Sequence, residues 1–517
     1  MVSAKAIDEI CNPTKVIQDL YQSHDGANSD AFPSVVARHF SEVFFKSDDP
    51  DAVNQLPSLD ISHPPESYTS GTLVRFRAMI QDTSSQDEVY LGKLNNGRCG
   101  GWGIQPAQSD LESDIFDPDH LRNATSLWAV SVPSQSRWRT DEISQTTSTS
   151  FPAHTPPQPH KFPIPGAPHI GIYDSSDVQV TTVITFVGIL SSEPLDVEDE
   201  LSTKVPVLHV VCHQIATTIP TETTFDSDLR ESMIKWISDE ALGGDTDAAE
   251  WLLLQLTSKV HTRAIPLLPP SLTISYFPQP SQPATLPTLS HVLAELLPQY
   301  LPIPLSLDLL NTKSFMPESK EEDLHAGYLQ LPHGSTTLLT ESGIQEGRLL
   351  EKGIMNIQAV QEVINSQTLE YIFPFSSKFT FNTDISVIVV SEGRKSAFFQ
   401  TSINIRHQSD PTTTNLYKPK EEINLPLPET LKAYRSYIAA CKAASEKVQV
   451  SEDTSKHIQD DFVRQRQQDT STTADGLIHL MKVARLLAAS QLQQEVTIDV
   501  WERTKELEAR RKARLAV

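Results

Sequence analysis

Residues 244–254 read Gly-Asp-Thr-Asp-Ala-Ala-Glu-Trp-Leu-Leu-Leu, a glycine turn entering an apolar helix, which is the frame of a loop that cradles phosphate. Such a cradle needs backbone N–H groups that phosphate can approach, a cation, and a hydroxyl for Mg²⁺. Gly244, Asp245, Ala249 and the run Leu252, Leu253, Leu254 keep the frame, but a carboxylate, Glu250, and an indole, Trp251, stand at the head of the helix. The same residues also support a plainer reading. Ala248, Ala249, Leu252, Leu253, Leu256 and Val260 fall on one face of an amphipathic helix, as in any buried helix.

Other chemistry is thinly supported. No Ser-His-Asp, Cys-His or paired-carboxylate arrangement can be assigned from spacing, and His209, His213, His261 and His291 read as structural or surface residues. Cys11, Cys99, Cys212 and Cys441 lie far apart with no C-x-x-C, which argues against a zinc ribbon or a disulfide framework and for a reducing compartment. His154, His160 and His169 sit in a proline-rich run that would hold a metal poorly. No cofactor, metal or small-molecule substrate is expected.

At 517 residues the chain is too long for one core, and several domains are expected. With 42 basic and 66 acidic residues its net charge is −24. That balance disfavours broad nucleic-acid affinity, which needs Lys and Arg to displace counterions, and suits protein partners. The N-terminus carries no apolar signal core, and no apolar run approaches membrane-spanning length. Arg510-Arg511-Lys512-Ala513-Arg514 reads as a weak nuclear signal or, more plainly, as the solvated basic end of a helix.

The elements follow from periodicity. Residues 1–65 form an N-terminal helical segment with helices over Thr14–Tyr21 and Phe32–Phe45. In residues 71–82, Val74, Phe76, Ala78 and Ile80 alternate with Arg75, Arg77 and Gln81, the pattern of a half-buried strand. Val183–Leu190 and Val205–His213 are further strands, so residues 66–220 read as an OB-like β-barrel. It is interrupted by a Ser/Thr/Pro-rich loop, 140–170, with seven prolines between 151 and 169, a composition read as a disordered insertion. Residues 225–265 are helical and 266–288 a proline-rich loop. From 289 to 405 helices alternate with strands, Leu338–Thr340 and Ile385–Val390 among them, which argues for a mainly parallel sheet. Residues 406–428 read as a linker and 429–517 as a C-terminal helical domain, with Thr472 and Asp475 at capping-box-like spacing.

Four segments together resemble the mini-chromosome maintenance complex-binding proteins: V-R-F-R-A-M-I-Q-D at 74–82, F-V-G-I-L-S-S-E-P at 186–194, the stretch 244–263, and 329–349 with L-Q-L-P-H-G-S-T-T-L-L-T-E. The tail around Asp461, Ala474, Asp475 and Val483–Leu486 also fits. Residues 244–254 are themselves similar to the phosphate loop of the mini-chromosome maintenance helicase subunits, G-D-P-G-x-A-K-S-x-L-L. On that resemblance Glu250 stands at the lysine position, Trp251 at the Mg²⁺-binding hydroxyl, and Asp247 at the second loop glycine. The acidic pair ending a later strand becomes Thr340 and Glu341, with only the second acid kept. The sensor position falls near Ser391-Glu392, and the lid arginine near Thr472.

The resemblance implies an α+β multidomain protein. Residues 221–405 would be a degenerate AAA+-like α/β domain, and 429–517 a lid-like helical domain. It implies a non-catalytic nuclear partner of the helicase subunits. Such a partner would assemble or chaperone them and unload the complex from chromatin late in S phase, with consequences for sister-chromatid cohesion and cell division. Two alternatives stand beside it. One is single-stranded DNA binding through the barrel, with Arg75, Arg77 and Arg98 as cations. The other is a weak residual ATPase relying on the glycine turn and Glu341.

Overall fold

The computed structural model describes residues 10–24, 31–46, 52–60, 63–83, 87–94, 98–104, 121–145, 169–172, 178–194, 204–216, 225–226, 228–263, 267–320, 323–373, 378–408, 415–468 and 473–516. The chain divides into two compact units. The first holds most of residues 1–216 and the second most of 217–517.

In the first unit, helices α1 (Pro13–Ser23) and α2 (Phe32–Phe44) each carry a proline in the first turn, where no N–H partner is lost. The strands are β1 (Ser58–Leu59), β2 (Leu73–Asp82), β3 (Asp87–Leu91), β4 (Leu121–Ser131), β5 (His169–Ile172), β6 (Val183–Pro194) and β7 (Lys204–Ile215). They form one seven-stranded sheet in the order β1-β2-β6-β7-β5-β4-β3, and β2 also pairs with β4, so the sheet curls back on itself.

The half-buried reading of β2 is corrected. Val74, Phe76, Ala78 and Ile80 face one core with Phe186 and Leu208. Leu73 on the other face joins Val187, Ile189 and Val211 beneath Val36, Phe40 and Phe44 of α2. Helical cover on the second face leaves the strand buried on both sides, Arg75 included. Alternation in the sequence marks two faces but does not say that one of them meets water. Residues 140–145, expected in the loop, complete a helix, Arg137–Gln145; the expected insertion otherwise falls largely on 146–168, outside the described residues.

The second unit contains α3 (Leu229–Ala241), α4 (Thr246–Leu256), β8 (Leu272–Ser275), α5 (Thr288–Leu296), β9 (Tyr300–Pro304), β10 (Ser335–Thr340), α6 (Glu351–Ser366), β11 (Thr368–Ile372), β12 (Lys378–Asn382), β13 (Ile385–Val390), β14 (Ile403–Arg406), α7 (Pro428–Ser445), α8 (Glu452–Gln468), α9 (Ala474–Ser490) and α10 (Ile498–Ala516). Five strands make a sheet in the order β9-β10-β13-β8-β14, and every neighbouring pair is parallel. β8, β10 and β13 are buried at every position, as expected for a parallel sheet covered on both faces.

β8 lies inside the segment read as loop. Four residues flanked by prolines carry no periodic signal, and only pairing with β13 and β14 makes them a strand. The linker reading is likewise corrected, because Leu416 and Ile423 are buried in the main core. The C-terminal helices belong to that core too: Leu487, Val500 and Trp501 cluster with Leu252, Leu253 and Leu293. The cap of α9 is Thr473, whose hydroxyl accepts the Gly476 N–H; Thr472 lies outside the described residues.

Candidate functional site

In a parallel α/β sheet, ligands bind at the carboxyl ends of the strands, where the strand order switches. A phosphate loop is a strand–loop–helix connection. Here β8 sits between β13 and β14, and its exit loop, 276–287, leads into α5. That loop has prolines at 278, 280, 283 and 287 and no glycine. Proline carries no N–H, so these positions cannot donate to a phosphate.

Groups at both ends of the loop are engaged by neighbouring segments. The Tyr276 and Phe277 amides donate to Gly393 O and Ser391 O at 3.0 Å each. At the head of α5 the Thr288 N–H donates to Leu416 O at 2.8 Å, and the Thr288 hydroxyl accepts the Lys418 N–H at 2.8 Å. Tyr417 closes over the loop, its hydroxyl donating to Pro278 O at 2.7 Å and its ring edge-on to Phe277. Burial pushes the Tyr417 phenol up, and Glu392 adds to this. Tyr276 holds a left-handed φ of 56° and stacks against Arg406, whose guanidinium carbon lies 4.5 Å from the ring centre. The helix N-terminus that could face an anion is therefore capped by the segment 416–418.

The sequence-derived acidic pair reaches the same edge. Thr340 ends β10 and is buried. Glu341 follows it and binds the 396–397 turn, accepting from Ser396 Oγ at 2.5 Å and from the Ala397 N–H at 3.1 Å. At the end of β13, Ser391 Oγ donates to Lys395 O at 3.1 Å, and Glu392 accepts from Gln279 Nε2 at 2.5 Å. These carboxylates brace neighbouring loops.

Residues 244–254 are elsewhere, and the phosphate-loop reading of their position is corrected. The Gly243-Gly244 turn, with φ of 61° and 87°, leaves helix α3 rather than a strand and precedes β8 in the chain. The helix forms because Asp245 caps it, accepting the Ala248 N–H at 3.0 Å. Asp247 in the first turn favours the positive end of the helix dipole. Ala248 to Leu256 are all buried, so the helix is core throughout.

The chain supplies its own anions at this helix N-terminus, and its own cations for them. Arg514 Nη1 donates to both Asp245 carboxylate oxygens at 2.8 and 2.9 Å, and its Nη2 lies 2.8 Å from Asp247. Arg510 lies 3.2 Å from Asp247 and 3.6 Å from Glu250. Glu250 also takes Arg230 at 2.8 Å and Arg503 at 3.3 Å. Burial by itself would lower the Arg230 pKa, but Glu250 at contact more than offsets this and holds it raised. Trp251 is buried, with the Arg511 guanidinium over its indole. The Gln408 N–H donates to Asp245 at 2.8 Å, so the cluster stands at the exit of β14. The basic run read as a solvated helix end is mostly committed to these contacts.

The structure thus brings Thr340, Glu341, Ser391 and Glu392 to one edge and places Asp245, Asp247, Glu250 and Trp251 in a separate carboxylate–guanidinium cluster. Sequence reasoning missed the loop 276–287, the cap at 416–418 and the arginines 230, 503, 510 and 514. The proline density of 266–288 was the available signal for the first, and the basic run 510–514 marked two of the arginines without pointing to their carboxylate partners; nothing local marks the cap at 416–418, Arg230 or Arg503. Arg75 is buried and donates to Asn54 at 2.6 Å. Burial lowers the Arg77 pKa to about 10, with Arg139 adding to the effect. Neither offers the open cationic face that strand binding needs. Among the described residues no group of three or more His, Cys, Asp or Glu is placed to hold a metal ion, and no helix is long and apolar enough to cross a membrane.

A family described as mini-chromosome maintenance replisome factor matches the chain over residues 42–164 and 132–515. The chain is 27% identical over 554 aligned residues to the mini-chromosome maintenance complex-binding protein of Arabidopsis thaliana, covering 90% of this chain and 92% of that protein. It is 24% identical over 630 residues to the protein of the same name from Gallus gallus, covering 98% of each. The Danio rerio protein of that name is 25% identical over 633 residues, covering 98% of this chain and 97% of its own.

Proposed function

The chain belongs to the mini-chromosome maintenance replisome factor family, and from that membership we propose that it is a non-catalytic binding partner of the mini-chromosome maintenance helicase subunits in DNA replication. It acts in the nucleus, assembling or chaperoning those subunits and unloading the complex from chromatin, with a consequent role in sister-chromatid cohesion and cell division. The relatives named as complex-binding proteins over nearly their full length support the partner.

The observation that carries the non-catalytic reading is the exit of β8. A loop with four prolines and no glycine, a helix N-terminus capped by Leu416 and Lys418, and a metal-site position held by Thr340 support this reading. Catalysis of phosphoryl transfer is almost wholly positioning and charge stabilisation. We read the second unit as a degenerate AAA+-like domain, on its five parallel strands with β8 internal. We read the first as OB-like, on the pairing that returns β4 to β2.

Affinity capture of the tagged full chain from replicating cells, with mass spectrometry, tests the partner. Near-stoichiometric recovery of several helicase subunits is expected, and their absence with intact bait overturns the reading. Phosphate release by the purified protein tests the second half: turnover above background would sink the non-catalytic claim.

A further inference from the structure

The basic run at the end of α10 is the sequence motif that the proposed function does not use, and its fastening is unlike that of the rest of the helix. The proximal part of α10 is anchored by burial, with Val500, Trp501, Thr504 and Leu507 all at 3% exposure or less. Beyond Leu507 no apolar side chain of the helix is buried. The distal turns are held by charge: Arg510 on Asp247 and Glu250, and Arg514 on Asp245 and Asp247. Arg511 is held by Glu508 at 2.6 Å and the Asn404 carbonyl at 2.8 Å. The Arg510 side chain is half exposed, so salt screens its pairs, whereas the more buried Arg514–Asp245 pair is screened less and apolar burial is not screened.

We propose that the last turns of α10 are an electrostatic latch that opens independently of the helix to which they belong, and that the closed latch masks a polyanion-binding run. Closed, the guanidinium groups of Arg510 and Arg514 are spent on the chain's own carboxylates. Open, Arg510, Arg511, Lys512 and Arg514 form a basic end on an otherwise acidic chain. Guanidinium forks of this kind bind phosphodiesters with a strong salt dependence.

Hydrogen exchange on the full chain tests the latch without any substitution. Raising the salt from low to high is expected to speed exchange of amides 509–516 by roughly tenfold while leaving 500–507 unchanged. Exchange of 500–516 as one block at every salt concentration would overturn the latch. The variant Asp245→Asn/Asp247→Asn tests the masking. The variant keeps the Ala248 N–H bond, which an asparagine oxygen can still accept, and gives up the Gln408 N–H bond, which the amide nitrogen cannot accept. It is expected to show fast exchange at low salt and roughly tenfold tighter binding of a short oligothymidylate than the natural protein. A charge-matched control, Glu421→Gln/Glu422→Gln, is expected to bind no more tightly than the natural protein. Equal affinity of the two variants would overturn the masking.

Discussion

Arg514 donates to both oxygens of Asp245 across a sequence separation of 269 residues, tying the last turn of the chain to the cap of a core helix. The Asp245 side chain is fully buried at this contact, so its oxygens are met by protein donors and not by solvent.

Replacing Arg514 with alanine leaves that carboxylate with backbone donors alone, the N–H groups of Ala248 and Gln408. The loss of a charged hydrogen bond predicts a destabilisation of about 2 kcal/mol, read as a lowered thermal midpoint of the full chain. Arg514→Lys should recover only part of it, because an ammonium cannot reproduce the forked contact.

Restoring the expected phosphate-loop chemistry should fail. Glu250→Lys would set an ammonium among Arg230, Arg503 and Arg510, at a cost of about 3–5 kcal/mol. Trp251→Ser would open a cavity at a fully buried site, costing another ~3–5 kcal/mol. Titration with a fluorescent ATP analogue should detect no gain in affinity in either variant. A stable Glu250→Lys/Trp251→Ser protein that binds nucleotide would return residues 244–254 to the role of a phosphate loop.

Acid should weaken the second unit through Glu508. Burial alone would raise its carboxyl, but Arg511 and His479 more than reverse this and hold it at about 2, against an ordinary 4.5. The folded value lies below the unfolded one, so unfolding takes up a proton. The stabilisation is full above the ordinary carboxylate range and is lost as the pH falls through it toward 2. Urea midpoints across that window should fall more steeply for the natural protein than for Glu508→Gln, which has no such carboxylate to protonate.

Arg75 separates a structural arginine from a nucleic-acid contact. Its guanidinium is buried and bonded to Asn54, and burial lowers its pKa. Arg75→Ala is expected to cost about 1–3 kcal/mol and to leave any residual oligonucleotide affinity, measured by anisotropy, unchanged. A loss of binding without a loss of stability would move Arg75 to the surface role.

What the sequence determined by itself was local. Period-two alternation marked β2, apolar runs marked β6, β7, β10 and β13, and 3.6-residue stripes marked α2, α4 and α9, because each pattern is written within one element. The acidic position Glu341 came from the resemblance to the helicase subunits and not from any pattern within its strand. Tertiary structure decided the rest. β8 has four residues between prolines and becomes a strand only by pairing with β13 and β14, so the loop at the switch point could not be located before that pairing was known. Residues 244–254 carry the local grammar of a glycine turn and helix, and local grammar does not say whether a strand or a helix comes before. The arginines that neutralise Asp245, Asp247 and Glu250 come from α3 and α10, at opposite ends of the second unit. Charge complementarity across such distances leaves no periodic trace in a chain, and only the fold brings Arg230, Arg503, Arg510 and Arg514 to the carboxylates of α4.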